Sequence, residues 1–392
     1  MLKASVFWSE QADGYKSGKE AAEGAMAKLK DKPGLAVAFC TVHYSTEGFL
    51  KGVREVVGAV PLMGGTTFNG LLTPGGYIIK DSGVGGVMLL SSPQMKFGVG
   101  GVELGDDLRA AGKKAAQAAI AQAGKKASDP VSALYLIPPP GTEERLIKGI
   151  QDVAGRAPLI GGSVANQGGQ VPWSQFANDK VMHNGVVLGA IYSELPLGAA
   201  YTGAFKPTEK HGVITKVKDR RTLLEINNRK ALDVYAEWTG KKIEDLIGGK
   251  ILLESVPMPL GRRDVSADHW WIMHPVNAND DHSLSVGSDM SEGMGVTLMQ
   301  ASLDEVTQGA TEVVKMALAE LGGEPGAVLV GHCGGRAMAL GTDRMKKVNA
   351  NIKAVLGDVP FLGWLTFGEQ GYCKWGGTGA GGLMLNTIAF GK

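Results

Sequence analysis

The sequence predicts an α/β fold, with α+β as the alternative, in which two domains contain sheets flanked by helices. Three observations favour this fold class. Short apolar runs, such as residues 35–40 and 131–137, have the length and composition of buried strands. Helix-like segments alternate with these runs along the chain. Glycine makes up 58 of the 392 residues, about twice the usual share, which indicates many tight turns and close backbone approaches.

A unit of strand, helix, strand and Gly-rich loop is repeated in the sequence. The segment 59–65 (AVPLMGG) resembles 157–162 (APLIGG), and aligning Pro61 with Pro158 gives an offset of 97 residues. The segment 358–369 has the same pattern. A predicted strand and helix precede each segment: 35–40 and 48–57, 131–137 and 142–153, 327–331 and 344–356. We therefore expect residues 35–70 and 132–168 to superpose, with a third, related unit in the C-terminal half.

The remaining elements are predicted from apolar periodicity and from helix start and stop signals. Pro33-Gly34 is expected to stop the first helix, and a polar segment at 205–212 that contains Pro and Gly indicates a boundary. The predicted domains are therefore 1–209 and 210–392. The other predicted helices are 15–30, 106–126, 230–238 and 304–321, and the other predicted strands are 84–90, 186–192 and 383–388.

Charge and composition exclude several classes of protein. Lys and Arg number 40 against 39 Asp and Glu, so no basic excess points to a nucleic-acid partner. We find no secretory signal and no apolar stretch of 18 residues, so a cytoplasmic protein without membrane insertion is expected. The three cysteines form no disulfide framework, and no metal-binding spacing occurs. Glycine-rich strand edges are compatible with a homo-oligomer.

The Gly-rich loops 64–70 and 161–168 are the first candidate site. Ligands of α/β proteins bind beyond the carboxyl ends of strands, where glycines let backbone N–H groups approach an anion. The alternative is a pair of tight turns. Neither loop has the dinucleotide or P-loop pattern. The candidate ligand-binding residues are Gly64, Gly65, Thr66, Thr67, Gly161, Gly162, Ser163 and Asn166.

Cys333, Arg336 and Glu369 form the second candidate site. Arg336 is suited to a carboxylate, either that of Glu369 in a structural pair or that of an amino-acid or organic-acid ligand. Cys333 or Glu369 would be the catalytic residue of an enzyme, although adjacent strand residues point to opposite faces, which disfavours His332 as the base for Cys333. The charge runs 216–221 and 262–264 are interpreted as solvated faces.

Several blocks of the chain resemble the FIST family (F-box and intracellular signal transduction sensory domain). Residues 161–165 and 183–188 resemble the N-terminal half of the family pattern, and residues 215–235 resemble the segment that joins its two halves. Residues 228–231 (NRKA) lack the Gly-x-Pro-Ala that is usual in that segment. The C-terminal half resembles 331–336, 361–369 and 381–387. The resemblance covers about residues 30–390.

The resemblance implies a bacterial or archaeal small-ligand sensor that acts on a separate histidine kinase or cyclase partner. Amino acids are one implied ligand class, and nitric oxide sensed through non-covalently bound haem b is the other. His43, His183 and His332 are the candidate haem ligands, since haem requires an axial side chain. An enzyme of unassigned class stays open as the alternative function.

Overall fold

Three units with the same order of elements make up most of the protein in the computed structural model, which describes residues 1–167, 172–374 and 376–392. Each unit runs strand, helix, strand, helix, strand, hairpin, strand. In unit 1 the elements are β1 (Lys3–Ser9), α1 (Gly14–Leu29), β2 (Leu35–Thr41), α2 (Thr46–Val57), β3 (Leu62–Thr67), the hairpin β4 (Gly70–Thr73) and β5 (Gly76–Ile79), and β6 (Gly85–Ser91).

Unit 2 repeats this order. Its elements are β7 (Met95–Glu103), α3 (Leu108–Gln122), β8 (Ala133–Ile137), α4 (Glu143–Ala154), β9 (Leu159–Gly162), the hairpin β10 (Gln175–Ala177) and β11 (Lys180–Met182), and β12 (Gly185–Ser193).

Unit 3 is interrupted after its first strand, β13 (Leu197–Thr202), by residues 203–302, which we call the inserted domain. The inserted domain contains β14 (Lys206–Lys218), β15 (Thr222–Ile226), β16 (Arg229–Lys230), α5 (Ala231–Thr239), α6 (Ile251–Glu254), β17 (Leu260–Asp264), β18 (His269–Met273), β19 (Pro275–Ala278), β20 (Leu284–Val286) and β21 (Gly295–Gln300). Unit 3 then continues with α7 (Leu303–Leu321), β22 (Pro325–Cys333), α8 (Gly334–Leu356), β23 (Phe361–Thr366), the hairpin β24 (Glu369–Tyr372) and β25 (Thr378–Gly381), and β26 (Leu385–Gly391).

The units exchange their hairpins. Each of the three six-stranded sheets has four strands from one unit and two from another, in the orders β1-β6-β2-β3-β10-β11, β7-β12-β8-β9-β24-β25 and β13-β26-β22-β23-β4-β5. Unit 2 thus completes the sheet of unit 1, unit 3 completes that of unit 2, and unit 1 completes that of unit 3. The exchange closes a ring with approximate threefold equivalence.

Equivalent backbone hydrogen bonds join the units where the hairpins leave their own sheets. The central strands of the three sheets are β3, β9 and β23. In each case a backbone N–H that follows one central strand donates to a carbonyl at or beside the end of the central strand of another unit, at 3.0 Å. The three bonds run from Phe68 N to Leu365 O, from Phe367 N to Ser163 O, and from Ala165 N to Thr66 O. Buried backbone groups at the ring centre are therefore paired between units.

One hydrophobic core lies inside the ring and others lie between each sheet and its helices. The inner core contains Phe39, Tyr135 and Trp364, one aromatic residue from each unit. Trp364 stacks on Phe39 with ring centroids 4.3 Å apart and donates its N–H to the Tyr135 hydroxyl at 2.8 Å. Strand residues alternate between the two layers, since Val37 faces the inner core while Ala38 faces α1 and α2.

The inserted domain has a sheet and a core of its own. Its eight strands follow the order β18-β17-β21-β14-β15-β20-β19, and β16 pairs with β15. Residues from several of these strands, including Leu223, Leu260 and Leu298, pack with Tyr235 of α5. A separate core of this kind allows the inserted domain to keep its shape independently of the ring.

The predicted fold class is confirmed, since the protein is α/β with helices on its sheets and a repeated strand-helix-strand unit. The two strands of that unit are parallel in all three copies. The third helix starts at Gly334 rather than at 344 and has a break at Gly341, where φ is +66°. The first helix ends at Leu29, because Lys30 is left-handed and caps it. The predicted boundary at 209/210 lies within β14 and stays a prediction.

The predicted Gly-rich loops are partly wrong. Gly64 and Gly65 lie inside β3, and Gly161 and Gly162 lie inside β9, so none of these four residues is in a loop. A Cβ at Gly64 would lie 1.7 Å from the Ala38 carbonyl oxygen, and one at Gly161 would lie 2.0 Å from that of Leu136. These glycines are needed for close strand packing. Gly168, the last residue of the second predicted loop, lies outside the described residues.

We expect Gly64→Ala to lower the free energy of unfolding by about 3 kcal/mol, because the added methyl overlaps a buried backbone carbonyl. Gly105→Ala is the matched control, since nothing lies within 4 Å of a Cβ there. Urea denaturation followed by circular dichroism measures both. Equal stability of the two variants would contradict the packing role of Gly64.

Candidate ligand-binding site

Ser163 belongs to a buried network of polar side chains at the carboxyl end of β9. Its hydroxyl donates to Glu143 Oε1 at 2.7 Å and accepts from Gln370 Nε2 at 3.1 Å. Glu143, the first residue of α4, is only 2% exposed, and its other carboxylate oxygen accepts from Gly141 N at 2.9 Å. Ser163 is therefore occupied by partners of this chain. Asn166, the other predicted residue of this loop, is nearly buried and also has a partner.

Arg221 of the inserted domain reaches this network. Its Nη2 donates to Glu144 Oε2 at 2.6 Å and to Glu143 Oε2 at 3.1 Å, while its Nε donates to Asp289 Oδ1 at 3.1 Å. Burial raises the pKa of Glu144, the nearby Glu143 raises it further, and the Arg221 charge opposes both. The interpretation of 216–221 as a solvated face is wrong for Arg221, whose side chain is 22% exposed.

Glu369 and Cys333 of the second candidate site lie next to each other, and both are buried. The Glu369 carboxyl accepts from Thr366 Oγ1 at 2.5 Å and from Met384 N at 2.8 Å, and the Cys333 thiol is a further hydrogen-bonding neighbour. Burial raises the pKa of Glu369 to about 8. Burial, together with Glu369, also raises the pKa of the Cys333 thiol. The thiol stays protonated at neutral pH, which disfavours it as a nucleophile.

Arg336 does not pair with Glu369, which was one of the two roles that the sequence predicted for it, and its side chain is fully buried. Its Nη1 donates to the carbonyls of Gly203 at 2.7 Å and Leu383 at 3.0 Å, and its Nη2 donates to the Val306 carbonyl at 2.8 Å. Burial lowers its pKa to about 10, so the guanidinium stays charged. Three main-chain carbonyls take the place of the expected carboxylate.

The other predicted residues of the loops are also enclosed. Thr66 and Thr67 are fully buried at the ring centre. Ser174 N donates to Thr66 Oγ1 at 3.1 Å, and Leu365 N donates to Thr67 Oγ1 at 2.8 Å. These hydroxyls stabilise the joints between units.

The three candidate haem ligands lie in separate places. His332 is fully buried, its Nδ1 bonds to the Cys333 carbonyl at 3.0 Å, and burial, with the Arg336 charge adding to it, lowers its pKa to about 3. His43 is exposed and bonds to Thr41 Oγ1 at 3.2 Å. His183 is discussed next. His332 is enclosed and His43 is exposed, and neither environment resembles an apolar pocket with room for haem. Haem binding stays a prediction.

His183 belongs to a line of polar side chains that the sequence did not reveal. Its Nδ1 lies 3.0 Å from Ser174 Oγ, and its Nε2 lies 3.5 Å from Glu47 Oε1. Ser174 is 1% exposed, so its hydroxyl is not accessible to a substrate, and it lies 3.2 Å from Thr46 Oγ1. These polar neighbours also do not fit a haem face.

A cleft of about 690 Å³ lies on the inserted domain, where no ligand-binding residue was predicted. Arg262 of β17 lines it, with its guanidinium 5.5 Å from the centre of the Trp271 ring. Burial lowers the pKa of Arg262 in spite of the nearby Asp264. Within the described parts of the chain, the Arg262 guanidinium makes no hydrogen bond or ion pair. The other lining residues include His211, Arg263, Trp270, Glu292, Gly293, Gly295 and Thr297.

The interpretation of 262–264 as a solvated face is correct for Arg263 and wrong for Arg262. Arg263 pairs with Asp268 at 2.8 Å, and both side chains are more than half exposed. Adjacent residues of β17 point to opposite faces, so one of the two arginines has to face the protein. That alternation is a sequence signal that one of the two arginines is partly buried, and only the register of β17 shows that it is Arg262.

Aromatic rings connect the cleft to the buried Glu369. The Trp271 and Tyr201 ring centroids are 5.3 Å apart, and the Tyr201 hydroxyl donates to the Glu369 carbonyl at 3.1 Å. A Cβ at Gly371 would lie 2.0 Å from the Tyr201 side chain, so the hairpin β24–β25 packs directly on Tyr201. Side chains in contact therefore connect Arg262 to the centre of the three units.

No described helix is long and apolar enough to cross a membrane. The described residues also contain no group of three His, Cys, Asp or Glu side chains suited to a metal ion.

Comparison with protein families identifies the class of protein that this fold and site represent. The FIST N domain matches residues 34–229, and the FIST C domain matches residues 231–372. The chain belongs to the FIST family. FIST domains are sensory domains of signal transduction, and the two matches agree with the predicted two-domain arrangement.

Individual proteins show weaker likeness. An uncharacterized protein of Methanocaldococcus jannaschii is 21% identical over 254 residues, which cover 56% of this chain and 47% of that protein. The match thus spans about half the length of this curated relative. A cyanuric acid hydrolase from A. caulinodans is 14% identical with full coverage of both chains and a TM-score of 0.39. PurLQS from Thermotoga maritima is 9% identical, covers 99% of this chain and 72% of its own, and has a TM-score of 0.26.

Glu369→Gln is expected to become more stable relative to the wild type as pH rises from about 5 to 8. The wild-type Glu369 keeps its proton in the folded state up to about pH 8, whereas the unfolded chain loses it near pH 4.5. Folding then requires proton uptake, so wild-type stability falls across this range by up to about 1.4 kcal/mol per pH unit. Gln cannot titrate and avoids this loss.

Urea denaturation of both proteins at pH 5, 6, 7 and 8 measures the difference. A stability difference that does not change with pH would contradict a proton on Glu369. Glu312→Gln, at a half-exposed position of α7, is the control.

Proposed function

We propose that the protein is a sensor of a small carboxylate, an amino acid or an organic acid, which it binds in the cleft beside Arg262. The observation that supports this proposal is the Arg262 guanidinium, which lines the cleft, is partly buried and forms no hydrogen bond or ion pair with the described residues, although the Asp264 carboxylate lies nearby. A buried charge is costly unless it is paired, and a ligand carboxylate supplies the missing pair. Membership of the FIST family supports the sensory role.

The cleft suits such a ligand in size and in the chemistry of its walls. Its volume lies in the range of small-molecule sites, about 300–1,000 Å³. A guanidinium binds a carboxylate through two parallel hydrogen bonds, and Trp270 supplies an apolar wall. Stacking on Trp271 holds the Arg262 side chain in place before the ligand arrives. Less conformational entropy is then lost on binding.

Signalling through a separate partner, such as a histidine kinase or a cyclase, and a location in the cytoplasm belong to the same proposal. The contacts from Trp271 through Tyr201 to Glu369 support signalling, because a ligand in the cleft could change the position of the hairpin β24–β25, which joins units 2 and 3. A ligand shifts such an equilibrium only by binding one of the two states more tightly.

Binding is tested with a thermal-shift panel of the common amino acids and of di- and tricarboxylic acids, followed by calorimetric titration of each compound that shifts the melting temperature. We expect Arg262→Gln to weaken binding at least about tenfold, since a charge-assisted pair is lost. Arg229→Gln, which changes an exposed arginine of the inserted domain that does not line the cleft, should bind as the wild type does. No shift with any acid, or equal losses in both variants, would refute the proposal.

Haem-based sensing is tested separately by absorption spectroscopy of protein purified from cells supplied with a haem precursor. A Soret band that moves on addition of nitric oxide, and that is lost in a variant of His43, His183 or His332, would establish a haem site. A spectrum without this band would remove haem from the proposal and leave the carboxylate site unaffected.

A further inference from the structure

Two segments, which we call the stems, join the inserted domain to the ring: residues 203–206 enter it and residues 301–306 return from it. Arg336 binds both stems. The entering stem follows β13, and Arg336 Nη1 donates to its first carbonyl, that of Gly203, at 2.7 Å. The returning stem leads into α7, and Arg336 Nη2 donates to Val306 O in the first turn of that helix at 2.8 Å. The ring of Phe205, also in the entering stem, lies 5.4 Å from the guanidinium. One side chain therefore fixes where the inserted domain leaves the ring and where it returns.

Arg221 makes a second attachment at the opposite end of strand β14. It lies at the end of the tight turn between β14 and β15, in which Asp219 and Arg220 are left-handed. Its guanidinium holds Glu144 of α4, which belongs to the ring, and Asp289, which belongs to the inserted domain. Asp289 N in turn donates to Glu144 Oε1 at 2.9 Å.

The two attachments differ in how readily they open. The Arg336 site is fully buried, and its opening would leave three main-chain carbonyls without donors in a dry interior. The Arg221 site consists of ion pairs whose members, apart from Glu143, are 14–22% exposed, so water can replace the lost partners. The stem attachment is thus the more permanent of the two.

A short segment of chain connects the Arg221 attachment to the Arg262 cleft. Asp289 is part of the attachment, and residues 291–297 line the cleft. Met290, which follows Asp289, donates its N–H to the Arg220 carbonyl at 2.7 Å. Gly293, which lies in the lining segment at φ +82°, donates its N–H to the Ile214 carbonyl at 2.9 Å. A change in the attachment is therefore transmitted within a few residues to the wall of the cleft.

We propose that Arg336 and Arg221 are positioning residues of the inserted domain, the first a permanent attachment and the second a releasable one. When the Arg221 ion pairs open, the inserted domain turns about the stems that Arg336 holds, and the cleft wall at 291–297 rearranges with it. The link to ligand sensing rests on the proposed function, whereas the two attachments do not.

The proposal is tested by hydrogen exchange with mass spectrometry on the full-length, ligand-free protein. In Arg221→Gln we expect amides in 141–147, 219–223 and 287–297 to exchange about tenfold faster than in the wild type, because a partly buried charge cluster is broken. Amides in the stems, 203–206 and 301–306, should keep their wild-type rates. Glu144→Gln, which removes the shorter of the two ion pairs on the ring side of the same attachment, should give the same pattern.

Arg229→Gln is the matched control. Arg229 pairs with Glu237 at 2.7 Å inside the inserted domain, and both side chains are more than half exposed. Its exchange should differ from that of the wild type only next to the substitution. Faster exchange of 287–297 in this control, or no change there in both Arg221→Gln and Glu144→Gln, would overturn the releasable attachment.

The stem attachment is tested with Gly309→Ala, since a Cβ there would lie 2.6 Å from Arg336 Nη2. We expect faster exchange at 203–206 and 301–306 and wild-type exchange at 141–147. Gly323→Ala, which has nothing within 4 Å of its Cβ, is the control. Unchanged stems in Gly309→Ala would overturn the role of Arg336. Because these measurements use no ligand, their failure would leave the carboxylate proposal standing, and a failed ligand screen would leave the attachments standing.

Discussion

The exchange of hairpins between units is the constraint on which the rest of the structure depends. Each unit contains a parallel β-α-β pair, and within the unit alone one edge of its second strand (β3, β9 or β23) would be unpaired. Unpaired strand edges promote aggregation. The hairpin of another unit covers that edge in every case. The cyclic order of donation brings Phe39, Tyr135 and Trp364 together in one core and places the carboxyl ends of the central strands around a common axis. The polar networks of Ser163 and Glu369 lie at that end of the ring.

This position explains why the residues singled out from the sequence are enclosed. Thr66, Ser163 and Thr366 follow or end the central strands, where a single α/β domain would present them to a ligand. Here three such strand ends meet. The hydroxyls of Thr66 and Ser163 accept hydrogen bonds from neighbouring units, and those of Ser163 and Thr366 donate to carboxylates of their own unit. The cleft that Arg262 lines is on the inserted domain instead. The repeated units form the support, and the inserted domain carries the proposed binding site.

The repeated unit could be predicted from the sequence because each copy carries local signals. Apolar runs, helix periodicity and the Pro-Leu-Met-Gly-Gly and Pro-Leu-Ile-Gly-Gly patterns all reflect short-range packing. The exchange could not be predicted, because Thr67 and Leu365 bond across 298 residues and no local pattern records their pairing. The partners of Arg336 were also hidden, since they are main-chain carbonyls that any residue type supplies. Arg262 and Arg263 look alike in sequence, and only the register of β17 distinguishes them.

The same exchange has a consequence for how the chain is made. Unit 1 reaches its complete sheet only after residues 175–182 have been synthesised, and unit 2 must wait for residues 369–381 near the end of the chain. Contacts of such long sequence separation form slowly, because a large loop has to close before they are gained. During synthesis unit 1 therefore has an open strand edge until the hairpin of unit 2 covers it, and unit 2 has one until the hairpin of unit 3 covers it.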